Sequence, residues 1–402
     1  MFGTLQAAAD TPLPASPGSV ARILSPSTLA ARSSAAPHDV FQHNRQDRAR
    51  EPAHGHVFQH NRQDPARQPA HPGQRSRPVA LSVGWAKMSD MADPTPEYAS
   101  TPDPIPTPDL APPTARPLRL GITYVPFRPP EELRDLAVAA EESGLDELWV
   151  WEDCFKQSGF AAAAAALAWT KRIRVGIGLL PVPLRNVALT AMEIATIDRL
   201  FPDRLIPGIG HGVQDWMAQT GSRAASPLTL LREHATALRR LLAGEEVTVD
   251  GRYVRLDHVR LDWPPASPPP LGIGADGPKS IAIAGELGDV FLLSAARTEA
   301  QITNARRILE QASPRRHEIV AAQIVAIGPG ARDRVDAEVP KWNDGSDVTH
   351  GSAGDAETIA ADLRRLAELG VTSVAVQPTG DEPDLIGLVE FLGREVRPLL
   401  SA

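Results

Sequence analysis

From Leu118 onward the chain alternates short apolar runs with helical patterns eight times over, and this alternation restricts the possible folds more than any single motif does. The apolar runs are 118–124, 147–151, 173–180, 204–210, 271–274, 290–293, 319–327 and 373–376. Helical patterns occupy 130–143, 160–170, 186–200, 227–242, 278–287, 299–311, 356–369 and 385–399. In the first of these, Leu133, Leu136, Ala137 and Ala140 fall on one face and Gly144 marks the stop. Strands that are continuously apolar, and separated by helices, belong to a parallel sheet buried on both faces. Eight such units over roughly 280 residues match the size of a (β/α)8 TIM barrel, a doubly wound open sheet being the competitor. One insertion interrupts the pattern: Val247 to Val254, with Asp250-Gly251 at its centre, predicts a β-hairpin.

The alternation assigns residues 117–402 to the barrel domain and leaves 1–116 outside it. That N-terminal segment holds 18 of the 39 prolines and 6 of the 11 histidines, with no sustained apolar periodicity, so a disordered tail is expected. Within it Val40-Phe41-Gln42-His43-Asn44-Arg45-Gln46-Asp47 recurs as Val57 to Asp64, an offset of 17 residues. A nucleic-acid arm or a metal tract would suit a basic, His-rich repeat. Two near-identical copies without core-forming residues fit better with a translated DNA duplication, and Met88 or Met91 would then be the expected start. The tail through Lys87 carries 10 basic against 5 acidic residues, whereas 117–402 carries 30 against 39. An acidic folded part without a basic stripe argues against nucleic acid as a partner. The chain shows neither a secretory apolar region nor a run of about 18 apolar residues, so a cytoplasmic protein without membrane contact is expected. The single cysteine, Cys154, excludes an internal disulfide and a cysteine metal cluster.

In a TIM barrel, function lies at the carboxyl ends of the strands. The candidates there are Thr123 and Tyr124; Glu152, Asp153 and Cys154; Gly178 through Arg185; Gly210 through Trp216; Gly274 through Lys279; Ser294; and Gln377 with Thr379. Gly272-Ile273-Gly274-Ala275-Asp276-Gly277 fits G-x-G-x-x-G between a strand and a helix. The nearby acid, Asp289, begins its strand where a dinucleotide site needs one at a strand's end. Glycine amides opening a helix, with Lys279 beside them, make either an anion site or a tight βα turn. His211 is the one histidine at a predicted strand end, either an acid/base or a core residue bonded to backbone. Glu152 and Asp153, being adjacent, point to opposite sides of an extended backbone. No metal-ligand spacing is visible.

Several segments, taken in order, resemble the bacterial luciferase-like superfamily of flavin- and deazaflavin-dependent oxidoreductases, over Leu118 to about Leu400. They are Leu148-Trp149-Val150-Trp151-Glu152-Asp153; Arg185-Asn186; Asp198-Arg199-Leu200-Phe201-Pro202-Asp203-Arg204 through Gly212; and Gly277-Pro278-Lys279-Ser280 through Asp289. The resemblance implies a TIM barrel holding FMN or coenzyme F420 across its mouth, with a bulged third strand behind the ring. By position Thr123, Gly178, Leu179, Leu180, Gly210 and Gly212 would bind or back the ring. Gly274, Ala275, Gly277, Pro278 and Lys279 would take the phosphate. Glu152, Asp153 and His211 would be catalytic. Two departures stand out. The family's usual His after the second-strand acid is replaced by Asp153-Cys154, which raises His211 as its substitute, and Asp203 stands where the family usually has glycine.

The resemblance further implies a small-molecule substrate, and a separate flavin reductase if reduced FMN is used for monooxygenation; a homodimer is expected only as the general default for soluble proteins. Leu180-Pro181-Val182-Pro183-Leu184-Arg185-Asn186 resembles the methylenetetrahydromethanopterin-reductase-like branch, which implies F420 and hydride transfer. A non-redox phosphate-binding lyase or isomerase barrel, and a non-catalytic flavin-binding barrel, remain as alternative functions. Substrate specificity is expected in the loops around 155–159, 216–226 and 341–352.

Overall fold

The computed structural model describes residues 117–343 and 351–400. The tail with its repeat, and residues 344–350 of the loop expected over 341–352, lie outside the described residues. In chain order the elements are β1 (Arg119–Thr123), α1 (Leu133–Glu142), β2 (Glu147–Val150), α2 (Gly159–Trp169), β3 (Arg174–Pro181), α3 (Val187–Leu200), β4 (Leu205–Gly210) and α4 (Gln214–Gln219). They continue with α5 (Pro227–Leu242), β5 (Val247–Asp250), β6 (Arg255–Val259), β7 (Gly272–Gly274), α6 (Pro278–Leu287), β8 (Val290–Leu293), α7 (Glu299–Ala312) and β9 (Glu318–Ala326). The last are α8 (Ala331–Glu338), β10 (Ser352–Ala353), α9 (Ala356–Glu368), β11 (Ser373–Pro378), α10 (Leu385–Phe391) and α11 (Arg397–Leu400).

The sheet closes. Its parallel order is β11-β1-β2-β3-β4-β7-β8-β9, and β9 pairs with both β8 and β11. The eight predicted strands are therefore the eight staves of a TIM barrel, and an open doubly wound sheet is excluded by the closing pairing. The hairpin sits where expected, but its turn differs from the predicted Asp-Gly centre. The strands β5 and β6 flank a four-residue connection whose amides, at Arg252, Tyr253 and Val254, all donate to the buried Glu233 carboxylate of α5. A side chain from another element, remote in sequence, sets that turn. The predicted closing helix is broken by a π turn at Leu392–Val396. There Gly393 lies so close to the Ser143 carbonyl that a Cβ would stand 2.2 Å from it. The helix α8 was not foreseen, since its buried residues are only Ala331, Val335 and Glu338.

Two apolar layers follow from strand periodicity. Along β2, Leu148 and Val150 face the helices, whereas Glu147 and Trp149 face the barrel axis. Trp149 packs inside with Ile206, Val290, Leu292, Val320 and Ala375. Its indole occupies the space in which a Cβ on Gly176 would lie, 2.3 Å from the ring. At the foot of the barrel the fully buried Glu147 accepts from Arg119 Nε (2.7 Å), Trp149 Nε1 (2.9 Å), Ser373 Oγ (2.7 Å) and Arg174 Nη1 (3.4 Å). Four donors satisfy a carboxylate whose burial would otherwise be strongly unfavourable.

The turn between α3 and β4 tests the departure at position 203. Asp203 adopts φ 62°, a left-handed conformation that glycine reaches without steric penalty. Burial, together with the Asp203 charge, pushes the Asp198 carboxyl up to about 6. A carboxyl raised in the folded state stabilises the fold below its unfolded pKa, and that contribution is lost as pH rises through 6. Asp203→Gly should therefore raise the melting temperature at pH 8 by about 2–4 °C, equivalent to about 1 kcal/mol, and by less at pH 5, where Asp198 is protonated; scanning calorimetry at both pH values checks this.

Candidate active site

At the carboxyl ends of the strands lies a cleft of about 180 Å³. Its floor comes from β3, where pairing with β4 slips between Ile177 and Leu180, the bulge expected for the third strand. The slip presents Gly178 and Leu179 to the cleft. The peptide between them is cis. Leu179 lies against β4 and β7: a Cβ on Gly210 or on Gly274 would stand 2.5 Å from Leu179 Cδ2. Similarly, Gly208 makes room for the Ile177 carbonyl and Leu292. These glycines therefore make room first for the protein's own interior, and Leu179 with Leu292 forms the apolar surface that a ligand would meet.

The sequence candidates divide cleanly. Glu152, Asp153, Gly178, Leu179, His211, Gly212, Gly274 and Ala275 line the cleft, as do Ser294 and Gln377. Thr123, Leu180 and Gly210 do not. Thr123 and Leu180 are buried, and Leu180 packs in the layer between strands and helices, where a Cβ on Gly159 would touch its Cδ2. Gly277, Pro278 and Lys279 are exposed at the start of α6, next to the cleft residue Asp276. The strand, turn and helix order of the glycine motif is thus as expected, with Gly277 as N-cap. Tyr124 is buried and donates to the Pro129 carbonyl; burial pushes its hydroxyl up to about 12, leaving it a structural role. Cys154 is buried, and burial with Asp153 nearby raises its thiol pKa. Among the described residues no group of ligating side chains could hold a metal ion.

The carboxylates in the cleft are all engaged. Glu152 accepts from Arg185 Nη2 (2.6 Å) and the Gly159 amide (3.0 Å), and Arg185 also binds Glu193 (3.0 Å). Asp153 pairs with Lys156 (3.1 Å); burial raises its pKa and Lys156 opposes the rise. The Lys156 ammonium in turn lies over the rings of Phe127 (4.5 Å) and Trp216 (5.6 Å). Asp276 accepts from Ser294 Oγ (2.6 Å) and Arg297 Nη2 (2.8 Å). His211 Nδ1 lies 3.2 Å from the Gly212 carbonyl. A carbonyl only accepts, so Nδ1 is the donor in this contact. Nε2 has no hydrogen-bond partner among the described residues.

Aromatic and cationic residues outside the expected set complete the picture. Trp151 and Trp342 meet edge to face with centroids 6.1 Å apart, Phe127 joins them on the wall, and Arg297 stands beside the α6 terminus with its Nε buried and unpaired. Trp151 and Arg297 directly follow or closely follow strands, a positional signal that was available. Trp342 reaches the cleft from beyond α8, and no local pattern marks it. Arg185 also lines a second cavity of about 60 Å³ with His234, whose imidazole is pushed down to about 4 by burial.

Residues 110–342 match the luciferase-like monooxygenase family. A 5,10-methylenetetrahydromethanopterin reductase from Methanolobus tindarius is 31% identical over 179 residues, covering 44% of this chain and 55% of the relative. An F420-dependent glucose-6-phosphate dehydrogenase from Mycobacterium tuberculosis is 34% identical over 191 residues, covering 43% and 56%. The chain thus spans about half the length of the curated relatives it matches. The structure of the coenzyme F420-dependent tetrahydromethanopterin reductase from Methanopyrus kandleri superposes with a TM-score of 0.60 at 22% identity, over 70% of this chain and 99% of that one, a likeness of fold.

Arg185 is the hinge of the acidic wall, since it neutralises Glu152 and Glu193 together. Its replacement by Met should lower stability by about 3 kcal/mol, because two half-buried carboxylates lose their cation, whereas Arg185→Met with Glu152→Gln should recover part of that loss; urea denaturation of the two variants measures both.

Proposed function

Because the chain belongs to the luciferase-like monooxygenase family, we propose that it is an oxidoreductase that uses a deazaflavin, coenzyme F420, to exchange a hydride with a small organic substrate. The observation that carries the reading is the cleft itself: a bulged strand offers Gly178 and the apolar face of Leu179 as a floor, and the open nitrogen of His211 stands at the rim. F420-dependent enzymes among the relatives favour the deazaflavin over FMN.

The residues present fit such a group. A flat ring finds its support in Gly178, Leu179, Leu292 and Ala275, with no charged side chain under it. A phosphate finds donors in the first amides of α6, with Arg297 and Lys279 close by. Arg297 already has a carboxylate, Asp276, but keeps Nε free, so it can bridge the two. When bound, the deazaflavin supplies the hydride chemistry. His211 accepts or returns the substrate's proton at Nε2, its Nδ1–H steadied by the Gly212 carbonyl. Glu152, tied to Arg185 and the Gly159 amide, holds the β2 end in place and is a positioning residue here, where the sequence suggested catalysis. The Phe127, Trp151 and Trp342 rings narrow the mouth and keep water from the reacting carbon.

Titrating the purified chain with F420 and, separately, with FMN under fluorescence detection should give F420 a Kd well below about 100 μM and the tighter binding of the two. Replacing His211 with Ala should lower turnover by about 10²- to 10⁴-fold while leaving F420 affinity within about threefold. Preference for FMN with oxygen-dependent turnover would move the protein to the monooxygenases, and failure to bind either would remove the redox reading.

A further inference from the structure

We propose that the cleft takes an uncharged, largely apolar substrate bearing one hydroxyl or carbonyl oxygen, and that Gln377 is the donor that holds this oxygen. The proposal rests on the oxidoreductase reading above and adds to it the class of substrate and the residue that selects it.

Charge comes first. The cleft is lined by three carboxylates, Glu152, Asp153 and Asp276, and by no lysine or arginine among the described residues. Each carboxylate is already paired with a cation: Arg185, Lys156 and Arg297 respectively. Every nearby cation already holds a carboxylate, and the open Nε of Arg297 is taken by the cofactor's phosphate in the reading above, so an anionic substrate gains no ionic anchor. A cationic substrate gains little either, because its counter-charges are occupied. The arrangement rejects ions of both signs.

The wall on the β9, β11 and β2 side is apolar and aromatic, formed by Phe127, Trp151, Ala322 and Trp342. Set into this side is Gln377 of β11, only 2% exposed, whose Nε2 is buried and lacks any hydrogen-bond partner. Buried side-chain amides are nearly always bonded, and one left open inside a ligand cleft is a donor waiting for a ligand's oxygen. His211 lines the cleft from the β4 side, its Nε2 open. A hydroxyl accepts from Gln377, and so does the carbonyl left once its hydride has passed to the deazaflavin and its proton to a base. A pocket that bonds one oxygen discriminates strongly against an analogue lacking it, whereas its apolar wall tolerates variation in the carbon skeleton.

A set of probes on one skeleton isolates each part of the claim: benzyl alcohol, benzyl phosphate, benzylamine and toluene, titrated against the full chain by tryptophan fluorescence, since Trp151, Trp216 and Trp342 line the cleft. Benzyl alcohol should bind saturably and at least about tenfold more tightly than the phosphate or the amine. Gln377→Met should weaken benzyl alcohol about tenfold and leave toluene unchanged, which a change in general packing would not do. F420 affinity and melting temperature, measured on the same samples, show that the variant is folded. Tighter binding of benzyl phosphate or benzylamine, no saturable binding by benzyl alcohol, or equal weakening of alcohol and toluene by Gln377→Met would each overturn the proposal. If F420 binds while the alcohol is not selected, only this inference fails; if F420 does not bind, the oxidoreductase reading fails first.

Discussion

The carboxylate of Glu147, fully buried at the foot of the barrel, receives hydrogen bonds from Arg119, Arg174, Ser373 and the indole N–H of Trp149, and the last of these fixes where the largest interior side chain lies. The two residues are adjacent on the inward face of one strand, so a charge and an aromatic ring stack along the barrel axis. Because the ring fills the axis, the neighbouring strand can carry no side chain at Gly176. Above the ring β3 bulges, Gly178 opens the floor, and Leu179 turns across the glycines of β4 and β7. The cleft therefore begins where the interior packing ends, and its floor inherits its position from a hydrogen bond at the opposite end of the barrel.

The same reasoning explains what the amino-acid sequence makes legible. Eight apolar strands separated by helices demand a sheet covered on both faces, and their number and spacing match a barrel, but closure itself was decided only by the pairing of β9 with β8 and β11. The tips of the strands could be read too, which is how His211, Asp153 and Gly178 enter the cleft as expected. Interior packing could not. A glycine in a strand shows that something approaches closely, but whether Gly210 serves a ligand or Leu179 depends on a register slip that leaves no local mark. Contacts between distant elements were equally hidden: the Glu152 and Arg185 pair spans 33 positions, and Glu233 shapes a hairpin turn about 20 residues further on. Gln377 was visible as a strand-end residue, but its open amide exists only once the barrel is closed around it.

The cleft separates two kinds of polar group. Those that bear charge are consumed in pairs, so they shape the walls and hold the loops after β2 and β8 in place. Those left open, His211 Nε2 and Gln377 Nε2, stand on opposite sides of the barrel order. Such a division suits chemistry in which a cofactor carries the electrons and the protein contributes position, a proton site and exclusion of water.

The central claim is that the bulged strand over Trp149 is a platform for a flat redox ring. A crystal structure of the protein with F420 tests it most directly. The account predicts the deazaflavin ring lying against Gly178 and Leu179, its phosphate at the start of α6 beside Gly277 and Arg297, and His211 facing the space left for substrate. A ring bound away from Gly178 and Leu179, or a phosphate bound elsewhere than the α6 terminus, would contradict it.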